Sequence, residues 1–400
     1  MKRRLFASLL VIVMVLCFAP AKSLAYASTE SKMQLGASGI KTDDEVYFGS
    51  YDGSVIPWTV LSSSALSETS VPSGANVLPL FSRNLLGHVQ FHGTVFGHYS
   101  DSTLRTTMDT LFLAFPAQDQ SAVVDATLSG GSMYSGQPDL ANQKLFPLSL
   151  EETSVFDSTL NIAYDSERVA RNWWLRTSSD DSNAYSISDV GSSYINTVRS
   201  DYAVRPALYL DQSSVLFISA ASRGKALSGF GLSSIATGSV AKWKLTLYDK
   251  NRAGFSIKTT KYEPSSISID YSGALTGTDE YLSAVIVDEG SVVYYGRLLQ
   301  LDGSTHGASG HVSIDIPAGV TLDSNTTLRL FNEQYHNDSV ESPILTDYSS
   351  ALRSVTLSAE IPATGDSSTP VLWFGIAIAA LIGLAGSAVL SRRAIRAHRA

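Results

Sequence analysis

Cysteine is nearly missing from this 400-residue chain: Cys17 is the only one. It sits in an apolar stretch, 5–19, that follows Lys2, Arg3 and Arg4 and precedes Ala25-Tyr26-Ala27. That is the layout of an export signal, 1–27, cleaved between Ala27 and Ser28. The chain after such a cut holds no thiol, which excludes disulfides, thiolate nucleophiles and cysteine metal ligands. A lipid-modified cysteine would want a small residue before it, and Leu16 stands there. Charge is scarce as well, at 16% of residues. Removing 1–27 and everything beyond Thr364 takes eight of the 29 Lys and Arg but one of the 37 Asp and Glu, moving the formal net charge from −8 to about −15. Nucleic acid and anionic lipid surfaces need a basic footprint, so neither is expected as a partner. P-loops, dinucleotide fingerprints and G-x-S-x-G elbows are also missing.

Long apolar runs are confined to the two ends. The second, 371–390, has the length of a transmembrane helix, and Arg392, Arg393, Arg396 and Arg399 in the tail 391–400 would hold that side in the cytoplasm. Ile361-Pro362-Ala363-Thr364-Gly365 stands just before it. Pentapeptide, apolar span and basic tail in this order resemble the LPxTG sorting signal of Gram-positive surface proteins. There a sortase cysteine attacks the Thr–Gly carbonyl and passes the Thr to a peptidoglycan amine. The resemblance implies cleavage between Thr364 and Gly365, sortase and peptidoglycan as partners, a membrane-inserted precursor and an extracellular, wall-anchored product. Ile361 replaces the usual Leu, which leaves the choice of sortase open.

Between the ends, a polar leader, 28–43, precedes short apolar bursts that read as strands, among them Val46-Tyr47-Phe48-Gly49 and Ile56-Pro57-Trp58-Thr59-Val60-Leu61. The Ser-rich run 62–75 reads as an exposed loop. Ser102 is placed to cap a helix bearing Leu104, Met108, Leu111 and Phe112 at helical spacing. A second helix is expected from Ser149, with Glu151 and Glu152 in its first turn. The Gly- and Ser-rich segment 212–240 reads as a loose connector. Beyond it, period-two alternation such as Ile267, Ile269, Tyr271 and Val312, Ile314, Ile316, with turn signals such as Asp288-Glu289-Gly290-Ser291, predicts a β-sandwich-like domain over 241–358.

The densest signals lie in 44–211: Ile56-Pro57-Trp58, Ser102-Thr103-Leu104-Arg105, Phe146-Pro147-Leu148-Ser149, Trp173-Trp174-Leu175-Arg176-Thr177 and Val204-Arg205-Pro206-Ala207-Leu208. Together they resemble an uncharacterised domain of Gram-positive surface proteins with a "WxLRS … VRPAL" signature. That domain is in turn similar, distantly, to the formylglycine-generating and C-type-lectin group, which implies an α+β, lectin-like fold. The module after it resembles the β-rich stalk that often follows, through Tyr294-Tyr295-Gly296-Arg297 and Phe331-Asn332-Glu333-Gln334. From residue chemistry, Trp58, Trp173 and Trp174 are core fillers. Arg105, Arg176 and Arg205, the last beside Pro206, are expected to be partly buried and bonded in fork geometry to carbonyls or carboxylates. The loop between Thr177 and Val204 is the candidate ligand surface: Asp180, Asp181, Asn183, Tyr185, Asp189 and Tyr194 offer oxygen donors and aromatic faces of the kind that hold calcium or stack on sugars. Their spacing fits no EF-hand, so no cofactor is expected, with calcium the one candidate.

Catalytic constellations are thin. His88, His92 and His98 lack the adjacent glutamate of a zinc hydrolase, and Gly87 and Gly93 break helicity. Glu151 and Glu152 are adjacent and cannot share a cleft from a helix. The run Trp243 to Asn251 is similar to the pilin motif whose lysine joins the next subunit, here Lys250, but Asp249 stands where Pro is expected. The expectation is a non-enzymatic binding or adhesion module for an extracellular glycan or protein, with a wall-anchored glycan hydrolase and a polymerised pilus subunit as the alternatives.

Overall fold

The computed structural model describes residues 39–356 except 95–96, 223, 226–228, 236–240, 337–341 and 343. The export signal, most of the leader, the sorting motif 361–365, the span 371–390 and the basic tail lie outside the described residues. Among the described residues no helix is long and apolar enough to cross a membrane.

The chain is β-rich, with strands arranged in several sheets. It begins with a hairpin: Glu45–Tyr51 returns as Ser54–Val60 with Tyr51 opposite Ser54. The two-residue link Asp52-Gly53 has positive φ at both positions, 49° and 71°, the geometry that matches the twist of the flanking strands. Both strands are buried along most of their length rather than alternately, because each face is covered. Gly49 has a φ of 66°, and a Cβ there would lie 2.5 Å from the Phe115 ring. The glycine is therefore required by the ring that packs on it.

This hairpin is the middle of a 14-stranded sheet. On one side Ser54–Val60 pairs with Val77–Ser82, which pairs with Pro206–Asp211. On the other, Glu45–Tyr51 runs parallel to Lys242–Tyr248, with Val46 opposite Trp243, and that strand runs parallel to Asp347–Ser349. Then come Thr326–Gln334, Glu280–Asp288 and Ser291–Gln300. The sheet thus passes without a break from the motif-rich region into the later β-rich one. A three-stranded sheet of Ser256–Glu263, Ser266–Ser272 and Gly310–Asp315 accompanies the second half. Glu280–Asp288 is buried on both faces, as a strand between two layers must be.

Composition misleads in the connector 212–240, where Ser233–Ser234 joins the large sheet against Tyr294 and Tyr295 and a longer segment is regular too. Val215–Ala220 is a strand antiparallel to Lys242–Tyr248, with Phe217, Ile218 and Ser219 buried. The apolar run Val215-Leu216-Phe217-Ile218 outweighs the small residues around it. The run 62–75 likewise buries Ala65 and Leu66 and holds a short strand, Thr69–Ser70.

The two expected helices form. Thr103–Leu113 starts where Ser102 Oγ accepts from the Arg105 N–H at 3.0 Å, and it buries Leu104, Met108 and Leu111. Leu150–Ser154 opens on a reciprocal capping box between Ser149 and Glu152.

Candidate functional site

The motif residues organise the interior of the first region. Arg176 is fully buried on Trp173–Asp180, and its Nη1 and Nη2 donate to Glu152 Oε2 and Oε1 at 2.6 and 2.9 Å. Its Nε donates to Ser132 Oγ and its Nη1 also to the Pro147 carbonyl, so the Trp-Leu-Arg and Phe-Pro-Leu-Ser motifs interlock through one guanidinium. Arg205 has a different solution. It donates to the carbonyls of Ser82 and Leu160 at 2.9 and 2.7 Å and lies 4.0 Å above the Phe81 ring and 5.0 Å from that of Trp173. Burial pushes its pKa down to about 9, so it stays charged at neutral pH. Arg105 donates to the Ser100 carbonyl at 2.7 Å, tying the helix to the turn before it. Trp58, Trp173 and Trp174 are buried, and each indole N–H finds a carbonyl: Phe48, Asn161 and Val89. Pro206 is buried opposite Pro147. Trp58, Trp173, Trp174, Arg176 and Arg205 are thus buried and bonded within the fold.

The six residues of the expected ligand loop are dispersed. Trp173–Asp180, Asn183–Ile187 and Ser193–Thr197 form successive strands of a five-stranded sheet, the last at its edge. Asp180, Asp181 and Asn183 gather at one hairpin tip. Asp189 lies in the opposite turn, about 20 Å along the strand from Asn183 at the usual rise per residue. Tyr185 pairs with Ile195 and Tyr194 with Ser186, so the two tyrosines point to opposite faces and form no common platform. Asp180 is occupied in shaping its tip: Asn183 Nδ2 and the Ser182 N–H donate to it at 3.0 and 2.8 Å, and these bonds hold its carboxyl below the usual range. No group of three or more His, Cys, Asp or Glu among the described residues is placed to hold a metal ion. The calcium candidate therefore has no set of converging carboxylates in this loop.

One approach at this tip escaped the sequence reading. Asp181 Oδ1 lies 3.5 Å from His98 Nε2, and the His98 ring stacks on Tyr134 at 4.4 Å. His92 turns elsewhere. Its Nδ1 accepts from the Thr94 N–H at 3.1 Å, which places the proton of the neutral ring on Nε2. His88 is exposed on a third strand, His88–Gln90.

His88 leads to a groove that sequence spacing could not reveal. A cavity of about 450 Å³ has Val55, Ile56, Leu85 and Leu86 at its floor and Asp52, Asn84, His88, Glu167 and Arg171 at its rim, with Tyr51 beside it. Its charged wall is preset. Asp165 accepts from Arg171 Nε and from the Val169 N–H, both at 2.9 Å, and from the Glu167 N–H at 3.0 Å. The Arg171 bond leads in holding the Asp165 carboxyl below its ordinary range. The contributing residues come from three stretches, 51–57, 84–88 and 165–171, more than twenty-five residues apart, brought together by the hairpin at Asp52-Gly53 and the turn at 165–171. The only local signal for it is Asp-Gly, which reads as a turn.

No curated protein and no solved structure matches this chain. Residues 75–212, which span four of the five motifs, match the family described as "Domain of unknown function (DUF6273)".

Proposed function

We propose that the chain is an exported, sortase-anchored surface protein of a Gram-positive cell that binds an extracellular ligand, a glycan in preference to a protein. The groove beside Tyr51 carries this reading. A concave groove rimmed by carboxylate, amide, imidazole and guanidinium groups that pair with hydroxyls, with the half-buried Tyr51 ring beside it, is a composition that suits a saccharide. The prior fixing of Asp165 and Arg171 reduces the ordering cost of binding. In this reading 44–211 is a lectin-like α+β domain, 241–358 a β-sandwich-like stalk, and 371–390 the membrane helix of the precursor. An acidic ectodomain without thiols fits a protein that works outside the cell.

Labelled ectodomain, 28–364, applied to glycan and host-protein arrays tests the reading. A coherent set of bound glycans supports it. Silence on both arrays, combined with turnover of any polysaccharide, would favour the hydrolase alternative and sink it.

A further inference from the structure

The sheet formed by Glu280–Asp288, Ser291–Gln300, Thr326–Gln334 and Asp347–Ser349 has an apolar face at Val285, Val287 and Phe331, covered by Phe217. Into this face the fold places two lysines and two carboxylates, Lys225, Lys244, Glu333 and Asp347, each with 0% side-chain exposure. Lys225 Nζ lies 2.6 Å from Asp347 Oδ2 and 2.7 Å from Glu333 Oε2. The rings of Phe217 and Tyr295 stand 4.9 and 5.1 Å from the same nitrogen. The second oxygen of Asp347, Oδ1, accepts from the His336 N–H at 2.7 Å and lies 2.9 Å from Lys244 Nζ. Glu333 Oε1 accepts from Ser283 Oγ at 2.6 Å and from the Tyr295 hydroxyl.

Buried ion pairs are weak stabilisers, since desolvation cancels most of their attraction, and apolar groups of the same size would do as well here. The arrangement is instead that of an acyl-transfer site. It has an amine, a carboxyl carbon, a proton carrier touching the amine, and two donors on the oxygen that would carry negative charge.

We propose that Lys225 and Asp347 condense into an intramolecular amide, with Glu333 as the proton carrier. The Lys225 ammonium gives one proton to Asp347 Oδ2. The neutral Nζ attacks Cγ, and the charge developing on Oδ1 is met by the His336 N–H and the Lys244 ammonium. Glu333 takes the second proton from the now cationic Nζ and delivers it to Oδ2; collapse breaks the Cγ–Oδ2 bond and Oδ2 leaves as water. Ammonium plus carboxylate gives amide plus one water, Glu333 ends as it began, and no oxidant or co-reactant is consumed. Burial lowers the Lys225 pKa, but the two carboxylates outweigh it and hold the ammonium above its usual value. The proton therefore has to move within the cluster rather than to solvent, which is the task assigned to Glu333.

The bond would join positions 122 residues apart and bypass most of the later β-rich region. Tension between the motif-rich region and the end nearest the wall would then run through the amide instead of unfolding the strands between. The bond itself is independent of the ligand reading, while its role in carrying tension rests on the proposed anchoring to the wall.

Peptide mapping by mass spectrometry of the full chain, purified folded, then denatured and digested with trypsin, tests it. The expected result is no cleavage after Lys225 and a branched species joining the Lys225 and Asp347 peptides, lighter by one water than their sum. Glu333→Gln should lack the branch and unfold about 10 °C lower. Linear wild-type peptides cleaved at Lys225 with Asp347 unmodified would overturn the proposal, as would a branch from Lys244. The wild-type measurement decides even where the variant does not fold, and a bond retained in Glu333→Gln would remove Glu333 from the reaction.

Discussion

Arg176 closes a two-point ion pair on Glu152, at 2.6 and 2.9 Å, with neither side chain exposed to solvent. Glu152 is at the same time the third residue of its helix and the capping partner of Ser149, accepting that residue's N–H at 3.0 Å. One carboxylate therefore fixes a helix start and neutralises the buried cation of another motif.

Breaking this pair from one side leaves a buried charge alone. Arg176→Met is expected to cost about 3–5 kcal/mol of folding stability. Replacing both members, as Arg176→Met with Glu152→Leu, should cost clearly less than the sum of the two single changes. Urea unfolding of the three variants against wild type measures this, and simple additivity would contradict the account.

Asp119 makes the second prediction. Its carboxylate accepts from the Gly49 N–H at 3.0 Å and from the Tyr348 hydroxyl at 3.1 Å, linking the first hairpin to the last strands of the sheet. Burial pushes its pKa from 3.8 up to about 7, against the pull of those two bonds. A carboxyl raised on folding binds its proton more tightly in the native state, so its contribution is fully present below the unfolded value and lost as pH rises through the folded one. Relative to Asp119→Asn, wild type should lose up to about 4 kcal/mol between pH 3.8 and 7, and the two curves should run parallel above. Denaturant midpoints across that range provide the check; a difference that grows in favour of wild type would reverse the sign.

The groove supplies the third. Ser54 is exposed and lines it, so Ser54→Trp should fill the space without touching the core. Glycans retained by wild type on an array should be lost by this variant, by at least about tenfold in affinity. Tyr194→Ala, on the edge strand of the five-stranded sheet opposite the edge that carries His88, should bind as wild type does. The opposite pattern would move the site to the hairpin.

Local signals carried local structure. Ser102 and Ser149 announced helix starts because a cap is a contact between residues three apart. Arg105, Arg176 and Arg205 stood beside apolar residues, and that adjacency implied burial; that Arg176 meets Glu152 while Arg205 meets carbonyls and rings depended on long-range packing. The strand Ser256–Glu263 carries a weak signal, since six of its eight residues are Ser, Lys, Thr or Glu and none is fully buried. The parallel pairing of Glu45–Tyr51 with Lys242–Tyr248 has no sequence signature, since the partners are some two hundred residues apart. The same reason hid the groove and the Lys225 cluster. In the loop 177–204, residue type was read correctly as polar and aromatic, yet strand geometry sends Tyr185 and Tyr194 to opposite faces.

Display on the wall is the claim on which the binding reading rests, because it sets the compartment and the charge of the chain that would meet a ligand. Mass spectrometry of the C-terminal peptide released from purified cell wall tests it most directly. The account expects Thr364 joined to a wall peptide, with Gly365 and all that follows absent. A peptide that continues through Gly365 into the apolar span, recovered with the membrane, would contradict it.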